Sequence, residues 1–139
     1  MSTSESTNTA RLPRARIDIL LIDDDIQIRT VLLAALQKQG YTVLVAPEGK
    51  TALGYCLRYT FRLVITDIFM PVMDGIEVIM NSSAAGRKTP ILAMSGGSAF
   101  GGPEFFLKPA GFLGCRKTLA KPFEMREFLS AVEELVGAN

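Results

Sequence analysis

Four consecutive apolar residues, Ile19-Leu20-Leu21-Ile22, run directly into three acids, Asp23-Asp24-Asp25. A half-exposed strand would alternate apolar with polar residues, and a helix would space its apolar residues three and four apart. A short unbroken run fits a strand covered on both faces. The construction recurs at Leu63-Val64-Ile65, which delivers Thr66 and Asp67. It recurs again from Pro90 to Ser95, ahead of Gly96-Gly97, while Cys115 to Ala120, ahead of Lys121-Pro122, reads as the fifth strand. Tyr41 to Ala46 reads as one further strand, second in chain order.

The intervening segments carry helical spacing. Ile28, Val31, Leu32, Ala35 and Leu36 form the inner face of a first helix, with Gly40 as its stop. Ala52, Leu53, Cys56 and Leu57 form the face of a second, which Gly54 weakens. A third follows the turn at Pro71 and Asp74-Gly75, carries Ile76, Val78 and Ile79, and frays toward Ser82-Ser83 and Gly86. Between Glu104 and Leu113, Pro109 and Gly111 break the period of Phe105, Phe106, Phe112 and Leu113, so a short or kinked helix is expected. The last runs from Glu124 to Val136 with Phe128, Val132 and Leu135 inward. Five strands alternating with five helices through short loops predict an open parallel α/β sheet with right-handed crossovers. In such sheets, sites lie outside the carboxyl ends of the strands. Asp23, Asp24, Asp67, Ser95 and Lys121 are therefore expected to converge.

A length of 139 residues with 48% hydrophobic content suits one domain with a core that needs neither disulfide nor structural metal. Residues 17–139 are expected to form that domain, with no attached output module. Residues 1–16, polar and basic, are expected to be a disordered arm. A formal charge of +1 provides no global attraction to nucleic acid or a membrane, so neither is expected as a partner. No apolar run reaches the roughly 18 residues of a membrane span, and the N-terminus lacks a secretory segment, so a cytoplasmic location is expected. Cys56 and Cys115 sit in periodic apolar segments and read as buried thiols. The absence of histidine excludes a His triad, a His metal site and a phosphohistidine within this chain.

Three carboxylates gathered at one sheet edge repel one another, and a cation relieves the repulsion. Hard oxygen donors suit Mg2+, which commonly uses one or two carboxylates together with a phosphate oxygen, and the implied substrate is a phosphoryl group. Lys121 adds a point charge for the same oxygens, Ser95 adds a hydroxyl, and Asp67 is the natural nucleophile. Each residue alone has a plainer reading. Asp23 to Asp25 can cap the first helix, Ser95 can serve a turn, and Lys121 before Pro122 says little. Their conjunction at strand ends is what carries the chemistry.

The set Ile22-Asp23-Asp24-Asp25, Thr66-Asp67-Ile68-Phe69-Met70-Pro71-Val72-Met73-Asp74-Gly75, Ala93-Met94-Ser95-Gly96 and Ala120-Lys121-Pro122-Phe123 closely resembles the receiver domain of two-component response regulators. The resemblance spans Ile17 to Val136. It implies a flavodoxin-like, doubly wound (βα)5 sheet in the strand order 2-1-3-4-5. It implies that Asp67 accepts a phosphoryl group from a phosphohistidine of a sensor histidine kinase or histidine phosphotransfer protein. It implies Mg2+ held by Asp24, Asp67 and the Phe69 carbonyl, with Asp23 acting through metal-bound water. Ser95 would bond the phosphoryl group, Lys121 would pair with it, and the Lys121-Pro122 bond would commonly be cis. Three departures concern the read-out. Thr118 stands where the family often has an aromatic switch residue, Ser95 replaces the commoner threonine, and the stretch from Gly96 to Gly102 is rich in glycine.

The leading expectation is thus a stand-alone switch or phosphate relay, a phosphoprotein that acts on another protein as yet unknown. A degenerate receiver that only binds proteins is the alternative, motivated by Thr118. The other rival, a Mg2+-dependent aspartyl-phosphate phosphohydrolase resembling haloacid-dehalogenase-like enzymes, needs an acid two residues after its nucleophile, and that position is Phe69. Leu33 lies off the core stripe of the first helix on this reading, and with Ile26 and Phe123 it forms either an apolar patch for the phosphodonor or merely scattered surface apolars.

Overall fold

A computed structural model describes residues 15–67, 89–95 and 116–137. In chain order its elements are β1 (Ala15–Ile22), α1 (Ile26–Lys38), β2 (Val43–Ala46), α2 (Gly49–Arg58), β3 (Tyr59–Asp67), β4 (Ile91–Ser95), β5 (Lys117–Ala120) and α3 (Met125–Gly137). The strands are parallel and lie in the order β2-β1-β3-β4-β5, as the resemblance implies. The two helices expected after β3 and after β4 fall outside the described residues, as does Cys115. Residues 1–14, most of the expected arm, also fall outside them.

The apolar runs sort by parity. Ile19, Leu21, Leu63, Ile65, Leu92 and Met94 face α1 and α3, where they meet Leu32, Leu36, Phe128, Val132 and Leu135. Leu20, Ile22, Val64 and Ile91 face the other way onto α2, around Ala52. Ile19 to Ile22 are all fully buried, and each is worth about 2 kcal/mol of hydrophobic transfer. This is why the run contains no polar residue.

β1 and β3 begin earlier than their apolar runs. Ala15, Arg16 and Ile17 pair with Tyr59, Thr60 and Phe61, so β3 has nine residues and β1 opens before the expected boundary at 17. Polar Arg16, Thr60 and Arg62 interrupt the runs there, and pairing in register carries the strands through them. At this end of the sheet the Asp18 carboxylate accepts from the Thr42 amide at 2.9 Å, and the Asp18 amide donates to Thr42 Oγ1 at 2.9 Å. Arg62 reaches both Asp18 Oδ1 and the Val136 carbonyl at 3.4 Å, tying the end of α3 to the sheet.

Gly40 stops α1 as expected: its φ of +94° is a left-handed conformation, with its amide donating to Gln37 at 2.9 Å. Two helix faces differ from the sequence reading. Val31 is 57% exposed, whereas Leu33 packs partly against the core. The buried stripe is centred on Leu32 and Leu36; Leu33 lies about 80° from its midline and Val31 about 120°, so Leu33 is the one turned toward the core. Leu57, expected inward, is 72% exposed, because it sits roughly 140° around α2 from the buried Ala52. Cys56 is half-buried against the same core face.

Candidate functional site

Register brings the strand ends together. β1 and β3 run in step through Ile22 opposite Thr66, so the residues that follow, Asp23 and Asp67, emerge side by side. Asp67 pairs with Met94, and Ser95 pairs with Ala120, which places Lys121 one residue beyond β5 at the same edge. Asp23 is fully buried and Asp67 is 5% exposed, while Asp24 reaches solvent. One carboxylate oxygen from each of the three lies within 4.8 Å of the others. The Lys121 ammonium donates to Asp67 Oδ2 at 2.9 Å and to Asp23 Oδ2 at 3.4 Å. The Lys121-Pro122 bond is cis.

The electrostatics follow from that crowding. Burial pushes the Asp23 carboxyl above its ordinary pKa. The Asp25 amide and Lys121 work against burial, and the neighbouring Asp67 charge reinforces it. Burial acts to lower the Lys121 pKa, but the hydrogen bond and charge of Asp67, aided by Asp23, overcome it and raise that pKa above its usual value. The site thus holds more negative charge than one ammonium neutralises. Three clustered carboxylate oxygens, two of them from buried side chains, form a hard donor set that fits a small divalent cation beside the lysine.

Thr118 is half-buried on β5, opposite Ala93 and three residues before Lys121. Ser95 ends β4 at the site edge. Phe69 lies outside the described residues.

Some of the site was not visible in the spacing alone. Asp25 caps α1, its carboxylate accepting the Gln27 amide at 2.9 Å and the Ile28 amide at 3.3 Å. The capping reading therefore applies to this acid while its two neighbours turn to the cluster. The Asp25 amide in turn donates to Asp23 Oδ1 at 2.9 Å. Arg29, which no motif singled out, donates from Nη1 to the Asp23 main-chain carbonyl at 2.8 Å. Its only advance signal was a place one turn beyond the cap.

Beside the site, Gln27, Ile28, Val31, Leu32, Pro122, Phe123 and Met125 line a largely apolar groove of about 490 Å³. Lys121 also lines it, and Phe123 stacks on the buried Phe128 at a centroid distance of 5.6 Å.

A family model for the response regulator receiver domain matches residues 19–133. The chain belongs to this family. Among receiver relatives, the response regulator receiver protein CpdR of Brucella abortus is 33% identical over 121 residues, covering 86% of this chain and 97% of that protein. The transcriptional regulatory protein ZraR of Salmonella typhimurium is 35% identical over 117 residues, which are 78% of this chain. The match spans only 26% of that relative's length. The solved structure of the Vibrio cholerae chemotaxis protein CheY4 superposes with a TM-score of 0.72 at 30% identity, covering 88% of this chain and 98% of that one. The receiver domain of NtrX from Brucella abortus, at 23% identity and a TM-score of 0.77, shares the fold. Receivers are typically signalling switches of two-component systems that take phosphoryl groups from histidine kinases. No helix among the described residues of this receiver is long and apolar enough to cross a membrane.

Proposed function

We propose that this receiver, whose β1 already includes Ala15 and Arg16, takes a phosphoryl group onto Asp67 and acts in the cytoplasm as a switch or relay on another protein. The donor is the phosphohistidine of a sensor histidine kinase or histidine phosphotransfer protein. An Asp67 oxygen attacks phosphorus, the donor's phosphorus–nitrogen bond breaks, the imidazole leaves with the bonding electrons, and an acyl phosphate remains. Asp24, Asp67 and the Phe69 carbonyl would hold Mg2+, with Asp23 acting through bound water, and the ion would supply charge neutralisation at the phosphoryl oxygens. Lys121 pairs with the transferred group, the Ser95 hydroxyl bonds it, and Thr118 stands where the change is read out. The observation that carries this reading is the Lys121 ammonium 2.9 Å from an Asp67 carboxylate held among two further acids.

A small phosphodonor with Mg2+ is expected to add one phosphoryl mass to the intact protein. The gain should vanish with a chelator or in Asp67→Asn. A phosphodonor that leaves the wild-type mass unchanged would instead favour the binding-module reading. Steady release of phosphate from free phosphomonoesters would favour the hydrolase.

The apolar groove lined by Lys121 and the exposed Val31, with Ile26 also exposed at the start of α1, supports docking of a protein donor on α1. Val31→Glu is expected to slow transfer from a phosphorylated histidine phosphotransfer protein at least about tenfold, because a charge would enter an apolar contact. Labelling by the small phosphodonor should be unchanged, and equal slowing of both would refute the docking role.

A further inference from the structure

The loop that carries the acids is held through the main-chain amide and carbonyl of both Asp23 and Asp25. The Asp23 amide donates to the Ala46 carbonyl at 3.1 Å, which continues the ladder onto β2. The Asp25 amide is held by the Asp23 side chain at 2.9 Å, and the Asp25 carbonyl accepts the Arg29 amide at 2.9 Å, the first bond of α1. Between these fixed points lies the peptide unit joining Asp23 to Asp24. Its carbonyl is the acceptor that Arg29 Nη1 reaches at 2.8 Å. The orientation of this peptide plane sets where the Asp24 α-carbon stands, and hence where the exposed carboxylate meets the two buried ones.

We propose that Arg29 is a positioning residue for the cation site: by clamping the Asp23 carbonyl it pre-forms the Asp23–Asp24 pair. The claim rests on the Mg2+ reading above. Arg29 also brings a positive charge near the site, and that charge alone would weaken cation binding. The two effects have opposite signs, so removing the side chain distinguishes them. A guanidinium held in a part-buried position by a main-chain acceptor loses little on being ordered, whereas an unclamped acidic loop must be ordered by the cation at the moment of binding.

The test is calorimetric titration of Mg2+ into the wild type, Arg29→Met and Arg29→Lys, with thermal unfolding of each metal-free protein as the check on folding. Arg29→Met is expected to raise the Mg2+ Kd about tenfold, the range for loss of a partner that orients a metal ligand. Arg29→Lys, which keeps a donor on a long stem, should recover at least half of that factor. With a small phosphodonor, the Arg29→Met deficit should appear as a higher Mg2+ requirement, while the rate at saturating Mg2+ stays within about twofold of wild type. An unchanged or tighter Kd in folded Arg29→Met overturns the proposal. If that variant does not fold, Arg29→Gln takes its place, and a wild-type Kd in Arg29→Gln overturns the proposal equally. A wild type that fails to bind Mg2+ overturns both this inference and the reading beneath it, whereas binding by wild type and variant alike overturns the inference alone.

Discussion

Lys121→Met lowers the unfolding free energy of the metal-free protein by about 3 kcal/mol, the low end of the range for removing one partner of a buried ion pair. The Lys121 side chain is only 17% exposed, and it is the ammonium that separates two carboxylates. Without it, Asp23 and Asp67 face each other across a poorly solvated gap. The loss should be largely restored by millimolar Mg2+, because a divalent cation replaces the missing charge. Urea denaturation followed by circular dichroism, with and without Mg2+, measures both quantities. A loss below about 1 kcal/mol, the scale of an exposed ion pair, would show that the pair is solvent-screened. The pH dependence has a definite sign. The Lys121 pKa is raised on folding, so its stabilisation is complete below the unfolded lysine value of about 10.4 and fades as pH climbs through the higher folded value. The margin of wild type over Lys121→Met should therefore hold through neutrality and shrink in alkali.

Asp23→Asn is expected to act in the opposite direction on stability. Burial raises the Asp23 pKa, so keeping that carboxylate ionised at neutral pH costs the fold free energy. The asparagine retains the oxygen that receives the Asp25 amide, and only the contact with Lys121 at 3.4 Å is lost. The metal-free variant should be about 1 kcal/mol more stable than wild type at neutral pH, a gain typical of relieving a functional site. For a group with a raised folded pKa, stability is fully present below the unfolded value of about 3.9 and is lost as pH rises through the folded value. The advantage of the variant should accordingly disappear on acidification. Its Mg2+ affinity should fall at least about tenfold. Urea melts across pH, paired with Mg2+ titrations, would expose an error in either half: a destabilised variant at neutral pH, or an unaltered Kd.

These opposed signs have one physical origin. The fold concentrates negative charge at a sheet edge and neutralises it incompletely, so the protein tolerates a strained site, the one proposed above to take a cation and a phosphoryl group. Lys121 limits the strain, and Asp23 contributes to it.

Much of this arrangement is legible in the order of residues. Continuous runs such as Ile19 to Ile22 fit strands buried on both faces, and each run ends on the residue that the parallel topology brings to a single edge. The helix stop at Gly40 is legible because a left-handed φ of +94° favours glycine. Where patterns are weaker the reading fails for identifiable reasons. On α1, Leu33 stands nearer than Val31 to the buried line through Leu32 and Leu36, and which line along the helix is buried depends on neighbouring elements. The early starts of β1 and β3 rest on main-chain pairing through Arg16, Thr60 and Arg62, and side-chain polarity carries no signal of that pairing.

Amino-acid order alone determined the class of fold, the convergence of Asp23, Asp24, Asp67 and Lys121, and the chemistry from which the proposed role of phosphoacceptor follows, because strand ends and residue types are local properties of the chain. Tertiary structure decided how those groups share charge: which two carboxylates are buried, which oxygens the lysine reaches, that Asp25 serves as a helix cap, and that Arg29 grips the main chain between the acids. Distances of 2.8 to 3.4 Å between residues from different elements are set by packing, and packing is where a periodic pattern stops being informative.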